Sequence, residues 1–236
     1  MNLHLLDSQA PQFPNPRHAA EEPDGLLAVG GNLAPSTLID AYRLGIFPWF
    51  GDNDPILWWS PATRCVIRPN HYHISKSLRK SLRRHQYQIT TDKAFDRVVE
   101  ACAAPRIETG LAATGTWITP EMMAAYSALH VMGYAHSVEV WDHDQLVGGV
   151  YGIASGAIFS GESMFSVVAN GSKMALAYLC NWMAAKDFAL LDCQIVNPHL
   201  LSVGAEPVAR HIFLELMQTH IDEQLQWPEA LEIDWS

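Results

Sequence analysis

The chain has 236 residues, of which 49% are hydrophobic and 17% charged, enough for one large domain or two small ones around a sizeable core. This balance excludes a disordered tail, a collagen-like fibre and a disulfide-stapled miniprotein. The formal net charge of −10, taken alone, argues against a polyanionic partner.

Residues 1–62 are rich in Pro and Gly (PQFPNP, EEPDGLLAVGGNL, LGIFPWFGDNDP, ILWWSP). They predict a small β-rich N-terminal domain with one helix at about 35–44, opened by Pro35 and Ser36 and stopped by Gly45. Residues 63–236 make a second, larger domain. CVIRP predicts a strand, HISKSLRKSLRRHQ a basic helix, YQITT a strand and FDRVVEACAA a helix. The loop PRIETGLAATG leads to the helix in TWITPEMMAAYSALHVMG, punctuated by Thr119-Pro120-Glu121 and Gly133. HSVEVWDHDQLVGGVYGIASGAIFSGESM reads as three antiparallel strands with turns at DHDQ and ASGA. A helix at about 171–186, a strand ALLDCQIV and a helix PVARHIFLELMQTH follow. The acidic residues Asp222, Glu223, Glu229, Glu232 and Asp234 are assigned to the surface. The fold class is mixed α+β, and the meander followed by helix, strand and helix resembles the acetyltransferase (GNAT-type) core.

Charge is unevenly distributed. Between Pro55 and Thr91 there is no Asp or Glu, yet Arg64, Arg68, Lys76, Arg79, Lys80, Arg83 and Arg84 all lie there. Lys76, Arg79, Lys80, Arg83 and Arg84 follow the i, i+3, i+4, i+7, i+8 spacing of one helical face, with Ile74, Leu78 and Leu82 on another. Such a face is either solvated or a contact for phosphates, because local potential and not net charge attracts them.

Several function classes drop out. No run approaches the roughly 18 apolar residues of a spanning helix, and MNLHLLDSQAPQF lacks the pattern of a leader, so neither is expected. Cys65, Cys102, Cys180 and Cys193 are scattered and read as reduced thiols of a cytoplasmic protein. His71 and His73 flank Tyr72 without ligand spacing, so no metal is expected. There is no GxxxxGK[ST] loop, no GxGxxG entering a helix and no GxSxG elbow. The turn GESMFSVVANGSK lacks the glycine pattern that binds coenzyme A pyrophosphate in acetyltransferases, which disfavours a coenzyme A user and leaves open an acyl-transfer fold with another donor; no cofactor is expected.

Two segments carry candidate chemistry. In LLDCQIV, Asp192 and Gln194 are two apart on a predicted strand and share a face. They are either a structural pair or a working one. In FSGESMF, Glu162 is surrounded by small and apolar residues, and is either ion-paired or aimed at a ligand cation. Phe47, Trp49, Phe50, Trp58, Trp59 and Trp117 sit beside Pro, Gly or other turn residues, and can pack a core, line an apolar pocket or stack on a base.

In order along the chain, GLLAVGGNL, AYRLGIFPWF, ILWWSP, TWIT, AYSALH, AHSVEVW, LVGGVYG, FSGESMFS, SKMALA and LDCQIV closely resemble the leucyl/phenylalanyl-tRNA–protein transferase family, from about Glu22 to Phe213. The resemblance implies an enzyme that moves Leu or Phe, and Met less well, from aminoacyl-tRNA to the N-terminal Arg or Lys of a protein. That step marks the acceptor for the N-end-rule degradation pathway. It also implies that Trp49, Trp117, Phe159 and Val150 line the donor pocket, with Tyr42 and Tyr126 nearby and Leu179 and Met183 closing it. PRIETGLAATG is longer than the family's usual connection. In this setting the basic helix is the tRNA contact, Asp192 takes or organises the proton of the attacking amine, Gln194 orients Asp192 or stabilises an oxyanion, and Glu162 holds a substrate cation. Two other readings stay open: a tRNA-dependent transferase of the cell-wall peptide-bridge type, and a non-catalytic RNA-binding module. A monomer is expected, since no spare apolar face is evident.

Overall fold

A computed structural model of the chain describes residues 4–84, 86–104, 117–231 and 233. The loop PRIETGLAATG and the acidic residues Glu232 and Asp234 lie outside them. The N-terminal part builds a four-stranded sheet in the order β1-β2-β4-β3, from β1 (His4–Leu6), β2 (Leu26–Gly30), β3 (Phe47–Pro48) and β4 (Leu57–Trp59). Helix α1 (Pro35–Arg43) lies between β2 and β3 in the chain, with Pro at its start, where the missing N–H is not needed. Gly45 ends it in a left-handed conformation (φ 72°), and an added Cβ there would lie 2.9 Å from the Phe213 ring.

The larger sheet has seven strands in the order β11-β5-β10-β9-β8-β7-β6. Strand β5 (Thr63–Ile67) leaves the N-terminal part and is inserted between later strands. The basic helix α2 (Lys76–Arg83), β6 (Gln88–Thr91), α3 (Phe95–Ala103) and α4 (Pro120–Val131) follow. The Thr119 side chain accepts from the Met122 amide and so caps α4, as its sequence punctuation indicates. The meander is β7 (Ala135–Asp142), β8 (Gln145–Ser155) and β9 (Ile158–Ser166). Helix α5 (Gly171–Ala185) is buried on most of its circumference, which explains its weak amphipathic pattern. Strand β10 (Leu190–Asp192), the short helix α6 (Pro198–Ser202), strand β11 (Glu206–Ala209) and helix α7 (Arg210–His220) complete the chain order.

Two sequence expectations are corrected. Pro207-Val208-Ala209 do not open the last helix but pair with β5 as an edge strand, where a proline without an N–H is tolerated. The strand predicted through Val196 stops at Asp192. This early stop shapes the site. β10 runs parallel to β9 for only three pairs, Leu190↔Ile158, Leu191↔Phe159 and Asp192↔Ser160, whereas β9 continues to Ser166. The strands therefore part at Gly161 and Cys193, and a gap opens at their carboxyl ends.

Side-chain alternation sorts residues to the two faces. One face packs on α5 and α2 with Cys65, Ile67, Val138, Val150, Phe159 and Leu191. The other carries Val66, Ile158 and Leu190 against Phe213 of α7, and Tyr151 and Ile153 against α3, α4 and the N-terminal sheet. Among the described residues, no helix is long and apolar enough to cross a membrane.

Candidate active site

Arg64 on β5 and Asp192 on β10 are both buried. Asp192 stands opposite Val66 in the ladder, so Arg64 is its diagonal neighbour on the same face, within reach of a long side chain. Arg64 Nε donates to Asp192 Oδ1 at 2.8 Å and Nη2 to Oδ2 at 2.7 Å, a bidentate pair. The third nitrogen, Nη1, donates to the Gly45 carbonyl at 3.2 Å. The guanidinium lies against the rings of Phe213 and Phe47, 4.4 and 4.8 Å from their centroids. Asp192 also accepts from the Gln194 amide at 3.0 Å and from Ser160 Oγ at 3.2 Å. Both carboxylate oxygens are thus occupied by two donors each, and the Asp192 side chain is fully buried.

Gln194 does not continue the strand. Its φ is +56°, and the Ile195 amide donates to the Cys193 carbonyl at 2.7 Å, the i→i+2 bond of a tight turn centred on Gln194. A non-glycine residue in this region carries strain of about 1–3 kcal/mol, which the Asp192 contact to its amide helps to hold. The turn sends the side chain back to β9, where Nε2 donates to Glu162 Oε1 at 2.9 Å.

Glu162 owes its direction to a second irregularity. In the β8–β9 ladder Tyr151 pairs with Ser163 and Gly152 with Gly161, so Glu162 is the extra residue of a bulge and is re-aimed. Tyr126 donates to Glu162 Oε2 at 2.7 Å, and its oxygen lies 2.9 Å from that of Tyr42. Burial pushes the Glu162 carboxyl up to about 7 against the opposing hydrogen bonds from the tyrosines, with the Asp192 charge adding to the rise.

A cavity of about 290 Å³ opens at the strand gap. Phe47, Pro48, Trp49 and Trp117 form one wall, while Glu162, Cys193, Gln194, Ile195 and Asn197 form the other. Trp49 packs edge-on against Trp59, which donates to the Trp49 carbonyl at 2.6 Å. An apolar aromatic wall facing a carboxylate and an amide suits an apolar group linked to a cationic or amino centre.

The structure thus brings Glu162, Gln194, Trp49 and Trp117 together, with Tyr42 and Tyr126 behind Glu162. Val150, Phe159, Leu179 and Met183 share one buried cluster on the α5 face and are not on this cavity's wall. Trp227 stacks on Phe159 and His136 and edges onto Trp182 in the same region. Lys76, Arg79, Lys80, Arg83 and Arg84 are exposed, while Leu78 and Leu82 anchor α2 to this same cluster. Arg64 and Arg68 leave the basic surface, the first paired with Asp192 and the second with Glu206 at 2.9 Å. Arg64 is the residue that the charge count obscured. Its position two residues from Val66, on the same face of the strand Thr63–Ile67, marks it as a buried cation.

The split between β9 and β10 and the bulged carboxylate beside it suit an enzyme of the acyl-transfer class. The model of the leucyl/phenylalanyl-tRNA protein transferase family matches residues 66–218, and that of its N-terminal domain matches residues 31–62. The chain is 50% identical over 231 residues to the leucyl/phenylalanyl-tRNA–protein transferase of Azoarcus sp. (strain BH72), covering 96% of this chain and 97% of the relative. It is 51% identical to that of Chromohalobacter salexigens (98% and 90% covered) and 47% identical to that of Enterobacter sp. strain 638 (98% of each). The chain belongs to the leucyl/phenylalanyl-tRNA–protein transferase family and is an aminoacyltransferase.

Proposed function

We propose that the chain moves Leu or Phe, and Met less well, from aminoacyl-tRNA to proteins that begin with Arg or Lys, as a cytoplasmic monomer that marks acceptors for N-end-rule degradation. The observation that carries this reading is the pairing of Glu162 and Gln194 across the strand gap, facing Trp49 and Trp117. The donor side chain and the terminal base take the aromatic wall of Trp49 and Trp117, and the exposed basic face of α2 meets the tRNA backbone.

In this mechanism the acceptor α-amine attacks the aminoacyl ester carbon, a C–N bond forms, and the ester C–O bond breaks to release the ribose hydroxyl. Glu162, with its carboxyl raised to about 7, accepts a proton from an amine whose reference value is about 7.7–8.0, a close match that favours transfer. The Gln194 amide supports Glu162 and faces the developing oxyanion. Asp192 serves as a positioning residue, since its oxygens are filled by Arg64, Gln194 and Ser160. The ester is already activated, so orientation supplies much of the rate.

The test is transfer of labelled Leu or Phe from charged tRNA to a peptide beginning with Arg, with an Ala-initial peptide alongside. Label on the Arg peptide alone supports the reading. Intact substrates with label on neither peptide, or equal label on both, overturn it.

A further inference from the structure

Two thiols face each other at the strand gap. The Cys193 amide donates to the Cys65 carbonyl at 2.8 Å and the Cys65 amide to the Gln194 carbonyl at 3.1 Å, so Cys193 and Gln194 together stand opposite Cys65. Residues opposed in this way have Cα atoms roughly 5.5 Å apart, inside the window of about 4.4–6.8 Å that a disulfide spans. Their side chains meet: the Cys193 thiol donates to the Cys65 sulfur, which pushes the Cys65 thiol down and the Cys193 thiol up. Cys65 is buried, whereas Cys193 is partly exposed and lines the cavity beside Gln194. Cys180 on α5 is the nearby third thiol, and burial pushes it up, which keeps it protonated.

We propose that Cys65 and Cys193 are a peroxide-sensitive pair whose disulfide displaces Gln194 and stops transfer. Once the pair has lost a proton, Cys193 is the sulfur that a peroxide in the cavity meets. Cys193 holds the remaining proton, which passes to the Cys65 sulfur as the Cys193 sulfur attacks the O–O bond, becoming a sulfenic acid while the other oxygen leaves and is protonated to water or an alcohol. The Cys65 thiol then attacks the sulfenic sulfur, the S–S bond forms, and hydroxide leaves with the Cys65 proton as water. Two electrons pass from the two sulfurs to one peroxide. Shortening the contact between the two sulfurs to an S–S bond of about 2.0 Å draws Cys193 toward Cys65, and with it the carbonyl that closes the Gln194 turn, in a site where a misplacement of about 1 Å costs roughly a hundredfold in rate.

The effect on activity rests on the transferase reading, whereas the link does not. The full chain is treated with hydrogen peroxide, alkylated, and mapped by peptide mass without reduction, with transfer measured in parallel. The expected result is a Cys65–Cys193 cross-linked peptide pair, a transfer rate lowered roughly a hundredfold, and recovery of that rate with dithiothreitol. Cys65→Ala gives the rate of the reduced wild type before oxidation. It forms no cross-link, and excess peroxide drives its Cys193 to a sulfinic acid that dithiothreitol does not reverse. Wild type without the link, a link to Cys180 instead, or linked protein with an unchanged rate overturns the proposal. If the reduced protein itself transfers nothing, the functional reading fails, and the peptide map still decides whether the thiols join.

Discussion

Replacing Glu162 by Gln tests the site through two independent readouts. The side chain keeps its shape and its hydrogen-bonding reach to Tyr126 and Gln194, but loses the charge and the basic oxygen. The native carboxyl is raised from 4.5 to about 7, chiefly by burial. Between those values the folded protein holds a proton that the unfolded chain has released, so stability falls as pH rises across this window. Above about 7 both states are ionised and the full destabilisation is present. A shift of this size corresponds to at most about 3 kcal/mol, and exposure toward the cavity trims it to about 1–3 kcal/mol. Gln has no such dependence.

Urea unfolding of both proteins from pH 5 to pH 8 reads the difference. The stability of Glu162→Gln relative to wild type should climb by about 1–3 kcal/mol between pH 5 and pH 7.5 and then level off. A gap that stays constant with pH refutes the buried, raised carboxylate. Single-turnover transfer at saturating substrates supplies the second readout. The wild-type rate should rise with pH through about 7, and the variant should lose roughly 10²–10⁴-fold. A variant that keeps the rate and the profile shows that Glu162 is not the proton acceptor.

Three further substitutions separate the remaining roles. Asp192→Asn leaves the buried Arg64 guanidinium without its counter-charge and should lower stability by about 3–5 kcal/mol in urea melts; its residual transfer should still rise with pH, with a midpoint moved below the wild-type one because the Asp192 charge adds to the rise at Glu162, and a flat pH profile would make Asp192 the base. Changing Lys76, Arg79, Lys80, Arg83 and Arg84 to Gln should weaken binding of charged tRNA and flatten its dependence on salt, by roughly 0.7–0.9 in slope for each phosphate no longer neutralised. If affinity and slope both hold in a filter-binding titration, the α2 face does not meet the tRNA. Trp49→Ala should weaken donor binding by about 1–3 kcal/mol if the ring stacks on a base, read as a raised KM for charged tRNA with an unchanged KM for the acceptor peptide.

Local signals explain what could be read from the residues alone. Helix α4 was legible because Thr119, Pro120 and Gly133 punctuate it within a few positions, and the meander because its turns and alternation are equally local. The site depends on longer-range events. Pro207 and Val208 look like a helix start until β5 offers its edge. The strand that alternation carries through Gln194 stops at Asp192 because Cys65 pairs with two residues where one is expected. Glu162 turns to the tyrosines because the β8–β9 ladder holds one residue too many, and no property of FSGESMF itself reveals that.

In the proposed mechanism the two carboxylates exchange the parts that spacing suggested for them. Asp192 and Gln194 look like the reactive pair because they are polar, two apart and set in an apolar strand. Burial with complete hydrogen bonding is the environment of a brace, however: four donors fill the Asp192 oxygens, two from a guanidinium held between Phe47 and Phe213. An incoming amine would have to break that pair to reach them. Glu162 has the opposite setting, a carboxyl enclosed enough to be raised to about 7 yet open to the cavity on one side. Environments that differ this much assign different tasks to chemically similar groups. The strained Gln194 turn joins them, because the Asp192 contact that fixes its backbone also fixes the direction from which its amide reaches Glu162.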